Sequence, residues 1–412
     1  MNHDRLANAA LAVASLFLSL GLSFAAPASA GDWPQFKRSA DRQGCDLTEQ
    51  VALPAKLCSW FDFGSPIRAS AAVVGGKAYA VSNRGLLARI DLAGNKVDWQ
   101  RNLGGVNNES CPAVAGGKVY VGSTAGKFFV LDAETGAVLK EHAAGAPVLA
   151  SPLLHKDAVY FGSTDGVFHA LDLAGEPKWT FKVANKTAPG AAADASSLIL
   201  LSAAAENDLI VFPAGLGHIY WLRDQGKKAE EAFVYRWPIV PNVGGNTAVG
   251  APTIHGGSVY VGMTGQEEPG SLFKFPLTGG DRKSVKVATV RTSPSVDSET
   301  GMLFFGSSTS GMWAMGGSGD WRVGPLSGVN SSAAVVKNCV IFGDESGALN
   351  FCKKARDPGG AQLLWSFTLP SGKAIEASPA VSGGKVVVGS LDGCLYGFWD
   401  GPEVKKPVKV AP

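Results

Sequence analysis

Hydrophobic positions along this chain come in short bursts rather than long stripes. A typical burst is "KVYVGS" from Lys118, in which successive side chains point to opposite faces of a strand. It ends in Gly-Ser, and a second apolar burst follows across a turn, as in "GKFFVLD" from Gly126. Bursts of this length, bounded by glycine turns, predict β-hairpins.

The hairpins belong to a longer phrase that recurs. It reads "ASAAVVGGKAYAVSNRGLLARID" from Ala69, "SCPAVAGGKVYVGSTAGKFFVLD" from Ser110, "ASPLLHKDAVYFGSTDGVFHALD" from Ala150 and "ASPAVSGGKVVVGSLDGCLYGFW" from Ala377. Further copies begin at Gly250, Thr292 and Asn330, and "DLIVFPAGLGHIYWLRD" from Asp208 is a degenerate one. The position of Gly122 recurs at Val81, Gly162, Pro213, Gly262, Gly306, Gly343 and Gly389. The mean step of about 44 residues is that of a four-stranded propeller blade. The expected fold is therefore all-β: an eight-bladed β-propeller of four-stranded antiparallel blades.

Each part of the phrase has a physical task. Proline (Pro112, Pro152, Pro252, Pro294, Pro379) opens the innermost strand, where its missing N–H removes no ladder bond. Gly116-Gly117 and Gly383-Gly384 supply the positive φ of a tight hairpin turn. The glycine closing the second strand lets neighbouring blades approach. Trp99, Trp179, Trp321 and Trp365 mark fourth strands and are expected to fill the space between blades. The eighth copy ends at Trp399 with three strands, while "LCSWFDFG" from Leu57 stands unused, so this N-terminal strand is expected to complete the last blade and close the ring. The propeller then spans 57–400, between an extension at 31–56 and a tail at 401–412.

Composition narrows the function. Charged residues are 17% of the 412 and the net charge is +2, which offers no field for nucleic acid. An apolar run from Leu11 to Phe24, followed by Ala28-Ser29-Ala30, has the form of a signal peptide cleaved after residue 30. No cysteine follows that site, so neither a lipoprotein anchor nor any other membrane anchor is expected after cleavage, and the mature protein is placed in the periplasm or outside the cell. Six cysteines in an oxidising compartment point to disulfides. In "NCVIFGDESGALNFC" from Asn338, pairing Gly343 with Ala348 around a four-residue loop sets Cys339 directly opposite Cys352, predicting a bridge. Cys45, Cys58, Cys111 and Cys394 allow three pairings, with none assigned. No haem or zinc motif is present. The acidic runs "AEEAF" from Ala229 and "QEEPG" from Gln266 read as surface loops, and the divergent fourth repeat, 184–249, as carrying a longer loop excursion.

The copies resemble the PQQ-type β-propeller repeat, found in bacterial quinoprotein dehydrogenases and in BamB-like assembly factors. The resemblance runs from Asp32 to Asp400, and "DWPQFKRSADRQG" from Asp32 is similar to the N-terminal phrase of such proteins. It implies eight blades. For the dehydrogenases it also implies a quinone held between a Trp platform and a disulfide of adjacent cysteines, with Ca²⁺ or a lanthanide and an Asp base. No two cysteines here are adjacent, and no acidic motif for metal and base stands out, so no catalytic, cofactor-binding or metal residue is carried over. The BamB-like side implies a non-catalytic scaffold. The expectation is thus a monomeric exported scaffold, without cofactor, binding an envelope protein or glycan. The alternative is a periplasmic oxidoreductase using PQQ and Ca²⁺.

One binding candidate follows from the repeat itself. The residue three before each strand-opening proline should circle the channel mouth: Arg68, Glu109, Leu149, an unreadable fourth, Val249, Arg291, Asn330 and Glu376. Closure would put Arg68 between Glu109 and Glu376. Arg291 and Asn330 would be left on the far side to meet a ligand.

Overall fold

A computed structural model describes residues 31–410 except 184–197, 216, 237–246, 265–270, 287–289, 317–319, 324–326 and 356–361. The proposed signal peptide, "QEEPG" and much of the expected fourth-repeat excursion lie outside the described residues. The described chain is all-β. Its strands form eight antiparallel blades, at 72–102, 113–143, 153–182, 204–235, 253–286, 295–323, 334–368 and 380–399. The degenerate copy from Asp208 is blade 4, with Pro213 opposite Ile219 inside its second hairpin.

The phrase folds as its chemistry requires. In the five blades that carry the proline the innermost strand begins directly after it, as in Ala113–Ala115 and Ala380–Ser382, and blades 1, 4 and 7 have Ala71, Ala203 and Ala333 at that position. Gly116 and Gly117 take φ of 56° and 72°, the left-handed pair that lets a two-residue turn follow the strand twist. Second and third strands are buried on both faces because a blade lies on either side, whereas the fourth strand Val138–Ala143 is largely exposed. Equivalent rings stack across seams: Phe128 on Phe161 at 4.0 Å, and Phe168 on Phe212 at 4.2 Å. Trp99 lies over the turn of blade 2, its Nε1 donating to the Ala133 carbonyl at 3.0 Å, and Trp179 donates to Asp224 of blade 4 at 2.9 Å. A Cβ on Gly162 would stand 2.6 Å from the Ile199 Cβ of the next blade, so this strand-end glycine permits the close approach.

The ring closes with the N-terminal strand. Lys56–Asp62 pairs antiparallel with Cys394–Trp399 as the fourth strand of blade 8. The tail contributes a fifth strand, Val408–Lys409, parallel to the closing one. Blade 8 meets blade 1 through the Ile67 amide on the Ser390 carbonyl, at 3.0 Å.

Two expectations are corrected. "AEEAF" is not a loop: Ala229–Tyr235 is the fourth strand of blade 4, and "RDQGKKAEEAF" from Arg223 is an ordinary hairpin. In blade 7, Gly343 pairs with Leu349 and Val340 with Cys352, one residue from the expected register. The cause is the turn: the Asp344 amide donates to the Ala348 carbonyl at 3.0 Å, which draws a fifth residue into the loop. A one-residue shift moves a side chain to the other face of a sheet. Cys339 therefore packs with Ile341 and Phe351 toward blade 8, and Cys352 with Val340 and Phe342 toward blade 6. Both are buried free thiols, as are the other four cysteines.

Candidate functional site

The eight innermost strands surround an axis that the chain itself blocks at one end. Residues 33–49 curl through the channel and touch the blades in order. Trp33 exchanges backbone bonds with Val73 of blade 1, and the Pro34 carbonyl accepts from Val114 of blade 2 at 2.7 Å. The Gln35 side chain bonds the Leu154 amide of blade 3 at 2.9 Å. Carbonyls of Ala40, Asp41, Gln43 and Gly44 then accept from Ala205, Ile254, Val296 and Val335 of blades 4 to 7. The Glu49 carboxylate accepts both turn amides of blade 8, Gly383 and Gly384, at 3.0 and 2.7 Å. The tight curl uses left-handed backbone at Lys37, Arg38 and Arg42 as well as at Gly44.

Two cations of this segment are wholly buried on the axis. Arg42 donates to the carbonyls of Ala203 and Pro152 at 2.9 Å each, and also to Gln35 and Phe36. Lys37 donates to the Pro294 carbonyl and to Thr253. Burial pulls Arg42 down to about 10 and Lys37 well below the usual lysine range, because desolvation disfavours the charged form.

Above this floor, with Phe36 among its lining, opens a cavity of about 670 Å³. A belt of small residues circles it, two positions after each mouth residue. The backbone amide of each belt residue donates to the side chain of the next: Ser70 to Cys111 at 3.1 Å, Cys111 to Ser151 at 3.1 Å and Ser151 to Ser202 at 2.9 Å. It resumes from Ser293 to Ser332 at 3.1 Å and on to Ser378 at 3.0 Å, then crosses the closure to Ser70 at 2.9 Å. Blade 5 has Ala251 at this position, and no link is made there among the described residues. Burial raises the Cys111 thiol, so this single cysteine of the belt is held as a neutral thiol. The signal for the belt was the small residue before each proline.

The mouth residues expected from sequence are brought together around this cavity, and the unreadable fourth is Leu200. Arg68 pairs with Glu376 across the blade 1–8 seam. Burial raises Glu109 above the usual carboxylate range; Glu376 adds to that and Arg68 opposes it. Asn330 donates to Glu345 at 2.9 Å, a partner sequence reasoning missed because it comes from the second hairpin of blade 7. Arg291 is exposed; its backbone amide donates to the Gly306 carbonyl at 3.0 Å, and its guanidinium has no hydrogen-bond or ion-pair partner among the described residues. The rim is thus divided: charged and amide groups on blades 6, 7, 8, 1 and 2, and Leu149, Leu200 and Val249 on blades 3 to 5.

Repeat, blade count and axial cavity define the class, an eight-bladed PQQ-like β-propeller. More narrowly, the chain belongs to the family described as outer membrane protein assembly factor BamB, whose sequence model matches residues 83–316. It is 30% identical over 114 residues to the outer membrane protein assembly factor BamB of Moranella endobia (strain PCIT). That match covers 26% of this chain and 27% of the relative, so the chain spans about a quarter of the curated relative's length. Two solved structures share the fold. BamB from Moraxella catarrhalis superposes with a TM-score of 0.63 at 18% identity, over 84% of this chain and 99% of that one. The quinohemoprotein alcohol dehydrogenase from Comamonas testosteroni gives 0.68 at 14% identity, over 92% and 83%. No helix among the described residues is long and apolar enough to cross a membrane.

Proposed function

We propose that this protein is an exported, non-catalytic scaffold of the bacterial cell envelope that binds a protein or glycan partner at the open mouth of its propeller. The observation that carries the reading is the makeup of the axial cavity. A quinone sandwiched as in the dehydrogenases needs an indole platform and a vicinal disulfide, and among the described residues no tryptophan lines this cavity and its single cysteine is Cys111. Glu376 and Glu345 are engaged by Arg68 and Asn330, so neither is an unpaired carboxylate awaiting a metal. The four repeat tryptophans serve the seams, as the bonds of Trp99 and Trp179 illustrate. The family's description as an assembly factor favours a protein partner of the outer-membrane assembly apparatus.

Two measurements test the reading. Affinity capture from the host envelope with the chain from Gly31 onward, followed by mass spectrometry, should recover a defined partner, and Arg291→Ala should weaken that capture. Titration with PQQ and Ca²⁺ should give no stoichiometric quinone absorbance band; such a band would overturn the scaffold in favour of the oxidoreductase.

A further inference from the structure

The mouth is not a uniform polar funnel, and its asymmetry specifies a ligand. Arg291 stands on blade 6, between Val249 of blade 5 and Asn330 of blade 7. Its guanidinium offers a planar fork of donors. Among the described residues Glu376 pairs with Arg68 and Glu345 accepts from Asn330, while Glu109 lies in the field of the same Arg68. Below Arg291 lie two belt serines, each more than nine-tenths buried. Ser332 accepts the Ser293 amide and makes no donation of its own among the described residues; the Ser293 hydroxyl has no partner there at all. Both serines line the cavity, so their idle O–H donors are open to a ligand. Guanidinium and hydroxyls together make a donor cluster suited to an oxyanion.

The adjoining arc has the opposite character. Leu149, Leu200 and Val249 face the cavity, with Leu200 48% exposed, and beneath them Ala251 takes the place of a belt hydroxyl. Among the described residues the lining carries three carboxylates (Glu109, Glu345, Glu376) against two guanidinium groups (Arg68, Arg291). A multiply charged phosphate would face that acidic arc across the mouth, whereas a monoanion meets far less repulsion.

We propose that the axial cavity binds a carboxylate flanked by an apolar group, the carboxylate on Arg291, Ser293 and Ser332, and the apolar group against Leu149, Leu200 and Val249. This rests on the scaffold reading and deepens it by naming what the mouth recognises. The volume of about 670 Å³ is that of an ordinary small-ligand site. A free carboxylic acid and the C-terminus of a polypeptide with an apolar last residue both carry this chemistry.

Isothermal titration of the chain from Gly31 onward tests it with three probes: an acetylated alanine-alanine-leucine tripeptide with a free carboxylate, the same peptide as its C-terminal amide, and octanoate. The free-acid peptide or octanoate should bind, and the amide should bind at least about 10-fold more weakly than its acid, the loss expected for a charge-assisted hydrogen-bonded contact. Arg291→Ala should bring the acid down to the level of the amide without moving the unfolding midpoint, and Arg291→Lys should restore part of the difference. Leu200→Ser should weaken acid and amide alike. Tighter binding of the peptide assigns a chain terminus, and tighter binding of octanoate a free acid; either order supports the carboxylate site. Equal binding of acid and amide, an unchanged affinity in Arg291→Ala, or no acid bound at millimolar concentration overturns it. Envelope capture that persists alongside such a failure rejects this inference alone, whereas a quinone band rejects the scaffold reading itself.

Discussion

Gly389→Ala probes the seam that closes the ring. Gly389 ends the second strand of blade 8, and its backbone would accept alanine; only space forbids it. A Cβ there would sit 2.9 Å from the Ile67 Cβ and 3.1 Å from its carbonyl oxygen, and nearer still to Cγ2. Carbon pairs rest at about 3.5–4.0 Å, so the seam must open by close to 1 Å or Ile67 must leave its rotamer. Overpacking of this kind costs roughly 1–3 kcal/mol. For the roughly 380 residues from Gly31 onward the unfolding entropy is near 0.8 kcal/mol per kelvin, so a cost of about 2 kcal/mol lowers Tm by some 2–3 °C. Ile67→Ala alone should cost about 2–4 kcal/mol, because Ile67 is fully buried. In the double variant the alanine methyl enters the space that the isoleucine vacates. The double variant should then be about as stable as Ile67→Ala, a coupling of about 2 kcal/mol between the two sites. Urea unfolding of the four proteins, followed by tryptophan fluorescence, measures it. If the two costs add within about 0.5 kcal/mol, the glycine is not there to admit Ile67 and the account of the strand-end glycines is wrong.

Other outcomes are open to direct measurement. Arg42→Ala leaves buried carbonyls on blades 3 and 4 unpaired and should destabilise by roughly 3–5 kcal/mol, read as a lower urea midpoint. His169, 5% exposed and close to His142, is held down to about 4, first by burial and then by that neighbour. Its folded pKa lies below the unfolded value of about 6.5, so its contribution is complete above that pH and is lost as pH falls toward 4, by up to about 3 kcal/mol. His169→Phe should flatten that part of the stability profile, and an unchanged profile would refute the assignment. Peptide mapping without reduction should recover Cys339 and Cys352 as separate thiol peptides; a linked pair would mean that the hairpin takes the other register.

Much of the architecture was legible because a propeller repeats its instructions. Proline, paired glycines and strand-end glycine recur at fixed offsets, and the stray tryptophan strand from Leu57 had one vacancy to fill. The mouth residues were legible for the same reason, since equivalent positions must circle the axis. What escaped reading was made by backbone or by single residues. Residues 33–49 bind the blades through carbonyls, which every sequence has, and their curl depends on left-handed Lys37, Arg38 and Arg42, which side-chain preference argues against. The blade 7 register turned on one extra residue drawn into the Asp344 turn, a detail that loop length alone does not encode. The carboxylate of Glu345 reached the mouth from a hairpin tip far from the repeat position used to find the ring.

The segment at 33–49 also bears on how the molecule comes into being. A chain made from its N-terminus yields this stretch first, yet its last contacts are with the last blade: Glu49 waits for Gly383 and Gly384, more than 330 residues on. The closing strand waits as long, for Cys394–Trp399. Contacts of such sequence separation form slowly. The blades can assemble locally as they appear, but ring and floor complete together only when the whole chain is present. A truncated product would therefore be left with an open seam, unsatisfied axial amides and a bare strand edge on its last blade, which mark it for aggregation or degradation rather than for a partly working life.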